Sequence, residues 1–224
     1  MTKNELSDLN WENIDTVLLD MDGTLLDLHY DDYFWQEYLP GRYAEVNHMH
    51  LHDAKHLLEP KFKAMEGTLE WYCLDFWSNE LQMNIPELKA EVMHLVAIHD
   101  GVLQFLENLH KLKKAVFLVT NAHEKVLSLK MEKTQLHHQF DQIISSHQFN
   151  LPKENPEFWH KLVDAHYFDP NKTLFIDDSL PVLRSAKQFG IKYLYTVKKP
   201  SSHKPARNIT EFPMIHSFFH LIAD

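Results

Sequence analysis

Short runs of apolar, β-branched residues recur along the chain, and each is followed by a stretch with helical periodicity. The runs predict five strands, at Thr16–Asp20, Ala115–Thr120, Gln142–Ser146, Thr173–Asp178 and Tyr193–Val197. Helical patterns fill the intervals, near Val102–Lys113, Glu124–Gln135, Pro156–Ala165 and Pro181–Phe189. Nearly continuous apolar strands that alternate with helices indicate an α/β fold, with a parallel sheet covered on both faces. Such sheets bind ligands beyond the carboxyl ends of their strands.

One long segment interrupts this alternation. From about Leu28 to Ile98 there is no strand-like run, and the pattern predicts helices at Asp31–Leu39, Leu51–Met65, Thr68–Met83 and Pro86–Ile98. We therefore predict a helical cap domain at residues 28–98, inserted into a core domain made of residues 1–27 and 99–224. A last amphipathic stretch, Pro213–Ile222, follows a surface loop.

Composition and charge narrow the possible functions. Apolar residues make up 44% of the 224 residues, enough for a core without disulfides, and the single cysteine, Cys73, has no partner within the chain. We expect a reduced, cytoplasmic location, because the first ten residues lack the apolar segment of a secretory signal and no apolar run could span a membrane. The 32 acidic residues outnumber the 22 basic ones, so neither nucleic acid nor an anionic membrane is an expected partner.

The strongest chemical signal is the pattern D-x-D-G-T at residues 20–24, at the end of the first predicted strand. Asp20 and Asp22 leave this strand at its carboxyl end, and Gly23 permits a tight turn. Weaker signals stand at or shortly after the ends of later strands: Thr120-Asn121, then Lys153, then Asp177-Asp178. Each of these alone has an ordinary explanation, such as a helix cap or a solvated lysine, but together and in this order they predict one shared site.

This ordered set resembles the four sequence motifs of the haloacid dehalogenase (HAD) superfamily, and the resemblance covers the whole chain. It implies a Rossmann-like core with strand order 5-4-1-2-3 and an inserted helical cap of type 1. It also implies Mg²⁺ as the cofactor and Asp20 as a nucleophile that becomes phosphorylated. The implied metal ligands are an Asp20 oxygen, the Asp22 backbone carbonyl and Asp178, with Asp177 binding either directly or through water.

The same resemblance assigns the remaining roles. The Asp22 side chain protonates the leaving oxygen and later activates water, Thr120 and the Asn121 N–H hold phosphate oxygens, and Lys153 pairs with the phosphoryl group and Asp20. Electrostatics agrees with this picture, because a phosphomonoester is a dianion that repels a carboxylate unless a cation lies between them. Haloacid dehalogenases lack the second acid, so Asp22 favours cleavage of a phosphate ester.

The expectation about the substrate comes mainly from the insert. Tyr33-Phe34-Trp35, the segment Thr68–Asp75 and Thr120–His123 are similar to bacterial GMP/IMP nucleotidases of this superfamily, which implies a purine nucleoside 5′-monophosphate as substrate. Aromatic side chains suit purine stacking, although Phe34, Trp35, Trp71 and Trp77 also fit the core of a helical domain. Two alternatives stay open. One is a phosphatase acting on another small ester, such as phosphoglycolate or a sugar phosphate, and the other is a non-catalytic binding protein on the same scaffold.

Overall fold

A six-stranded parallel sheet forms the centre of the computed structural model, which describes residues 9–221. Its strands are β1 (Thr16–Leu19), β2 (Ala115–Thr120), β3 (Gln142–Ser145), β4 (Thr173–Ile176), β5 (Tyr193–Val197) and β6 (Met214–Ile215). They lie in the order β3-β2-β1-β4-β5-β6, which confirms the predicted order of the first five. The two-residue β6 was not predicted. It pairs with β5 within the stretch expected to be amphipathic, whose last residue, Ile222, lies outside the described residues.

The continuous apolar run of β1 follows from burial on both faces of the sheet. Val17 and Leu19 belong to one hydrophobic cluster, whereas Leu18 belongs to the other. Because successive strand side chains point to opposite faces, a strand covered on both sides has no solvent-facing position for a polar residue.

Four helices cover these two faces. They are α7 (Val102–Lys111), α8 (Glu124–Thr134), α9 (Pro156–Ala165) and α10 (Leu180–Phe189). Apolar residues of α7 and α8 pack in the Val17 cluster, and those of α9 and α10 pack in the Leu18 cluster. The predictions for α7 and α8 extended one or two residues too far, because Lys113 and Gln135 have left-handed backbone conformations.

The segment between β1 and α7 is helical, as predicted. Its helices are α1 (His29–Tyr33), α2 (Leu39–Val46), α3 (Leu51–Met65), α4 (Leu69–Tyr72), α5 (Leu74–Leu81) and α6 (Ile85–Glu91). A π-helical turn, Phe34–Tyr38, joins α1 to α2, so the helix predicted to end at Leu39 continues past Pro40. A 3-10 turn, Met93–Leu95, replaces the predicted end of the last helix.

The single helix predicted at Thr68–Met83 is wrong, because the chain breaks at Cys73. This residue has φ −84° and ψ 109°, and its sulfur accepts the Phe76 N–H at 3.4 Å, which caps α5. The break brings Trp71 and Trp77 into an edge-on contact, with ring centroids 6.2 Å apart, and the Trp77 indole N–H donates to the Trp71 carbonyl oxygen at 2.9 Å. Tertiary packing of two large rings therefore overrides the local helical pattern.

The two chain segments that enter and leave this insert lie side by side. The Asp27 N–H donates to the Ala97 carbonyl oxygen, and the His99 N–H donates to the Leu25 carbonyl oxygen, both at 2.9 Å. On this basis we propose residues 28–98 as the cap and call them the helical insert. The first eight residues of the predicted core lie outside the described residues. Within the described residues, no helix is both long enough and apolar enough to span a membrane.

Candidate active site

The first two predicted acids lie where β1 ends. Asp20 directly follows β1, and its N–H donates to the Ile176 carbonyl oxygen at 3.0 Å, so the sheet fixes its backbone. In the turn that follows, the Met21 carbonyl oxygen accepts the Leu26 N–H at 2.8 Å. Asp20 is buried, Asp22 is half-buried, and both line the same cavity.

Burial raises the pKa values of both carboxyl groups. Burial removes water from Asp20 and raises its pKa to about 7. The like charge of Asp177 also raises this pKa, whereas Lys153 lowers it. Burial likewise raises the pKa of Asp22 to about 6, against the lowering effect of Lys130. A carboxyl group with such a pKa can both give and accept a proton near neutral pH, as a general acid and base must.

Lys153 connects the end of β1 with the end of β4. Its buried Nζ donates to Asp20 Oδ1 at 2.5 Å, to Asp177 Oδ2 at 2.7 Å and to the Val119 carbonyl oxygen at 3.0 Å. Burial by itself would lower the pKa of Lys153, but the two carboxylates outweigh it and raise this pKa above its usual value. The Trp159 indole N–H donates to the Lys153 carbonyl oxygen at 3.1 Å, which holds the loop in place.

Asp20, Asp177 and Asp178 form a cluster of carboxylates. Each offers one oxygen, and these oxygens lie within 4.8 Å of one another. Asp177 already accepts from the lysine at Oδ2 and from the Ser179 N–H at Oδ1, the latter at 2.7 Å. Burial and the charges of Asp177 and Asp20 raise the pKa of Asp178 well above its usual value, and Arg207 is 4.0 Å from its Oδ2. Asp178 is therefore better placed than Asp177 to give an oxygen to a cation.

Gly23 is where the turn after β1 meets this cluster. Its φ is +83°, and a Cβ atom at this position would lie 2.7 Å from both Cγ and Oδ2 of Asp178. Real Cβ atoms do not approach other atoms so closely, so a side chain here would displace the Asp178 carboxylate. Glycine is thus required both by the left-handed backbone and by the close approach.

Thr120 is the last residue of β2 and Asn121 follows it, and both line the cavity. The Thr120 hydroxyl oxygen accepts the Ala122 N–H at 3.0 Å. The Asn121 side chain accepts the Lys153 N–H at 2.9 Å and donates to Glu154 Oε2 at 2.9 Å. The Asn121 side chain therefore helps to build the Lys153 loop, a role that the sequence did not suggest. Phosphate binding by the Thr120 hydroxyl and the Asn121 N–H remains a prediction.

Side-chain contacts join the helical insert to the core, and one of them lies at this loop. The Tyr72 hydroxyl donates to Glu154 Oε1 at 2.6 Å, and Lys125 Nζ lies 2.5 Å from Asp75 Oδ1. Burial and the adjacent Glu154 raise the pKa of Tyr72 well above its usual value, so its hydroxyl keeps the proton that it donates. Glu154 thus links a tyrosine of the insert to the asparagine of the core.

The cavity has a volume of about 680 Å³ and extends from the carboxylates into the insert. Phe34 and Trp77 are fully buried in the hydrophobic core, so two of the four aromatic candidates serve packing. Trp35 and Trp71 are half-buried, line the cavity and stack with ring centroids 5.8 Å apart. The structure therefore separates the aromatic residues that the sequence could not separate.

Sequence reasoning missed a set of ion pairs next to Asp22. Lys130 Nζ donates to Asp22 Oδ1 at 2.6 Å and to Asp31 Oδ2 at 2.7 Å, and Lys89 Nζ donates to Asp31 Oδ1 at 2.6 Å. One signal was present, because Lys130 follows Val126 by four residues and so falls on the buried face of α8. A lysine on an apolar helix face needs a buried anion, but the sequence does not say which one.

A further group, Cys73, His123 and His147, has possible ligand atoms within 4.8 Å of one another. Burial lowers the pKa values of both histidines, so the neutral rings are favoured. His123 Nδ1 accepts the Lys125 N–H at 3.3 Å, which leaves the proton of the neutral ring on Nε2. Neither nitrogen of His123 is then free for a cation, and we assign no metal to this group.

The chain belongs to the haloacid dehalogenase-like hydrolase family, which its residues 17–196 match. The GMP/IMP nucleotidase YrfG of Escherichia coli strain K12 is 38% identical over 212 residues, which cover 95% of this chain and 96% of that protein. The protein of the same name from Shigella flexneri is similar to the same extent.

Solved structures show the same fold at low sequence identity. A HAD phosphatase from Thermococcus onnurineus has a TM-score of 0.76 at 18% identity, with 93% of this chain and 96% of that chain covered. The L-2-haloacid dehalogenase from Xanthobacter autotrophicus, with chloropropionic acid covalently bound, has a TM-score of 0.62 at 18% identity, with coverage of 93% and 96%. A phosphatase and a dehalogenase thus share this fold, so the reaction must be argued from the site.

Proposed function

We propose that this chain is a Mg²⁺-dependent phosphohydrolase that dephosphorylates purine nucleoside 5′-monophosphates such as GMP and IMP. The proposal rests chiefly on the placement of Asp20, Asp22 and Lys153 together on the wall of one cavity. A nucleophile, a second acid and a buried cation at one site are what hydrolysis through a covalent aspartyl-phosphate requires. Asp22 favours this reaction over dehalogenation, which needs no acid for its leaving group.

The carboxylate cluster suits Mg²⁺, which prefers oxygen ligands. Three carboxylates with oxygens within 4.8 Å of one another repel each other, and the raised pKa values of Asp20 and Asp178 reflect this crowding as well as burial. Asp20, the Asp22 carbonyl oxygen and Asp178 would hold the ion, and Asp177, whose two oxygens have other donors, would bind it through water. When bound, the ion supplies positive charge that offsets the repulsion between carboxylate and phosphate.

In the first half of the reaction, one Asp20 oxygen attacks phosphorus while Asp22 gives its proton to the ester oxygen that leaves. The bond between phosphorus and this oxygen breaks, which releases the nucleoside and leaves a phosphoryl group on Asp20. Lys153 donates a hydrogen bond to the other oxygen of the Asp20 carboxylate. It also contributes positive charge next to the phosphoryl oxygens.

In the second half, water attacks the phosphorus of the aspartyl-phosphate. The ionised Asp22 accepts a proton from this water, the bond between phosphorus and Asp20 breaks, and inorganic phosphate leaves. Asp22 is then protonated again, so both carboxyl groups return to their starting states.

Three features support a purine nucleotide as the substrate. The relative at 38% identity over nearly the whole chain is a GMP/IMP nucleotidase. The cavity volume of about 680 Å³ lies within the range of about 300–1,000 Å³ that is typical of small-molecule sites. Trp35 and Trp71 offer aromatic surface to a base at the insert side of this cavity.

Gly23→Ala tests the metal site. We expect the displaced Asp178 to raise the Mg²⁺ concentration that gives half-maximal activity by about 10-fold or more, measured by titrating activity with Mg²⁺. Gly67→Ala is the matched control, because Gly67 also has a positive φ, +79°, but has no atom within 4 Å of the added Cβ. Both variants should lose about 1 kcal/mol of stability from backbone strain. An unchanged Mg²⁺ requirement in Gly23→Ala would contradict the assignment of Asp178.

A substrate panel tests the function directly. Phosphate release is measured for purine and pyrimidine monophosphates, phosphoglycolate, sugar phosphates and para-nitrophenyl phosphate, each with Mg²⁺. We expect GMP and IMP to have the highest kcat/KM, EDTA to abolish activity, and added Mg²⁺ to restore it. Protein carrying Asp20→Asn, purified in the same way, controls for contaminating phosphatases.

Each part of the proposal can fail separately. If phosphoglycolate or a sugar phosphate ranks above the purine nucleotides, the substrate is wrong but the phosphohydrolase stands. If no ester in the panel is hydrolysed with Mg²⁺ present, the chain is a non-catalytic binding protein on this scaffold. Activity that survives EDTA without loss excludes the metal-dependent mechanism.

A further inference from the structure

A lysine outside the four motifs contacts the proposed general acid. Lys130 lies on α8, its side chain is 1% exposed, and its Nζ lies 2.6 Å from Asp22 Oδ1 and 2.7 Å from Asp31 Oδ2. The Lys89 side chain is 2% exposed, and its Nζ lies 2.6 Å from the other Asp31 oxygen. Asp31 belongs to α1 of the helical insert and Lys130 to the core, so the network crosses between the two parts.

The burial of Lys130 has no explanation in packing alone. Its neighbours on the buried face of α8 are the apolar Val126, Leu127 and Met131. Its Nζ also lies 4.8 Å from the centre of the Tyr30 ring. An apolar side chain would fill such a space without the desolvation cost of an ammonium group, and that cost is offset here by the two carboxylates.

The geometry of the contact determines what Lys130 does to Asp22. The ammonium group holds Oδ1, which restricts the rotation of the carboxyl group and leaves Oδ2 as the oxygen that can carry the proton. Asp31 holds the ammonium group from its other side, and Lys89 in turn holds Asp31. Among these contacts, the one made by Lys130 acts directly on Asp22, which is the group that must be aimed at the leaving oxygen.

We propose that Lys130 is a positioning residue for proton transfer, which holds Asp22 in the orientation that protonates the leaving oxygen. This inference rests on the proposed phosphohydrolase function. Lys130 itself does not exchange a proton in the reaction. The proton moves from Asp22 to the leaving oxygen in the first half and from water to Asp22 in the second.

Two substrates whose leaving groups differ in acidity can distinguish a positioning role of Lys130 from a merely structural one. Phenyl phosphate releases a phenol about as weakly acidic as the tyrosine side chain, whose pKa is about 10, so its departure needs a proton. The para-nitrophenol of para-nitrophenyl phosphate is far more acidic and leaves as the anion. For both substrates kcat/KM reports the steps up to phosphoryl transfer, whereas the water step enters only kcat.

The test compares these two substrates in wild type and in Lys130→Met. We expect kcat/KM for phenyl phosphate to fall by about 100-fold, the lower end of the usual contribution of general acid catalysis, and kcat/KM for para-nitrophenyl phosphate to fall less than about 5-fold. Asp22→Asn should show the same selectivity, and adding Lys130→Met to it should have little further effect. Lys130→Arg, which keeps the buried charge, should show the same pattern with a smaller fall in kcat/KM: phenyl phosphate should be affected more than para-nitrophenyl phosphate.

Lys89→Met is the matched control. It removes an equally buried ammonium group from the same Asp31 but does not touch Asp22, so its two kcat/KM values should change by one common factor.

Equal losses for both substrates in Lys130→Met and Lys130→Arg would overturn the proposal and leave Lys130 a structural ion pair. If Lys130→Met does not fold, the selectivity of Lys130→Arg decides. If wild type hydrolyses no ester of the substrate panel with Mg²⁺ present, the proposed function fails, and this inference fails with it.

Discussion

Asp20→Asn is expected to lower turnover of every phosphate ester by about 10⁴-fold or more, the scale of loss when an enzyme that forms a covalent intermediate loses its nucleophile. Asparagine keeps the shape of the side chain, and its Oδ1 can still accept from Lys153, which now lies 2.5 Å from the aspartate oxygen. The variant should therefore fold normally. Phosphate release under saturating Mg²⁺ and the circular dichroism spectrum measure the two halves of this prediction.

The same substitution has a defined effect on stability. Burial raises the pKa of Asp20 from 3.8 to about 7, so the stability contributed by this group is fully present below pH 3.8 and is lost as the pH rises through 7. Without divalent cations, Asp20→Asn should therefore unfold at a higher temperature than wild type at pH 8. Asp164→Asn, at an exposed position, should change neither property. Near wild-type turnover in Asp20→Asn would exclude this residue as the nucleophile.

Lys153→Met is expected to affect both activity and stability. It removes the ammonium group that donates to Asp20, Asp177 and the Val119 carbonyl oxygen, and it leaves two buried carboxylates without their cation. Breaking a buried ion pair from one side typically costs about 3–5 kcal/mol. We expect a loss of about 3 kcal/mol in the free energy of unfolding at neutral pH, from chemical denaturation, and turnover reduced by about 10³-fold, the usual scale for a lost electrostatic contact at the reacting group.

The pH dependence of this loss distinguishes electrostatics from packing. Without Lys153, the pKa of Asp20 rises further above about 7, so the variant takes up a proton at an alkaline pH where wild type does not. Uptake of that proton relieves the unpaired charge, and the destabilisation should shrink as the pH falls from alkaline values to 7. Lys161→Met makes the same chemical change on the exposed side of α9 and should cost little. A destabilisation that does not vary with pH would point to lost packing instead.

The central sheet could be predicted because the burial of its strands is visible directly in their sequences. All four residues of β1 are buried, and so are all four of β4, which gives unbroken apolar runs with a polar group directly after each. Asp20 and Asp177 follow from that pattern, since parallel strands end at one edge of the sheet. The two-residue β6 could not be predicted in this way, because Met214 and Ile215 are too few to show a period.

Within the helical insert, the pattern predicted helices but not how they pack. The break at Cys73 and the burial of Trp77 depend on contacts between rings on α4 and α5, and a helical period cannot express such contacts. For the same reason the sequence could not separate Trp35 and Trp71, which line the cavity, from the fully buried Phe34.

By itself, the sequence determined the α/β class, the order of the first five strands and the presence of carboxylates and a lysine after strand ends. These features depend on the backbone and on residues close along the chain, which local periodicity and short motifs encode. Only the tertiary structure decided that Lys130 reaches Asp22, 108 positions away, and which oxygens of Asp177 already have donors. Such contacts depend on how helices rotate and pack against the sheet, because partners of a buried charge are selected by distance in space and not along the chain.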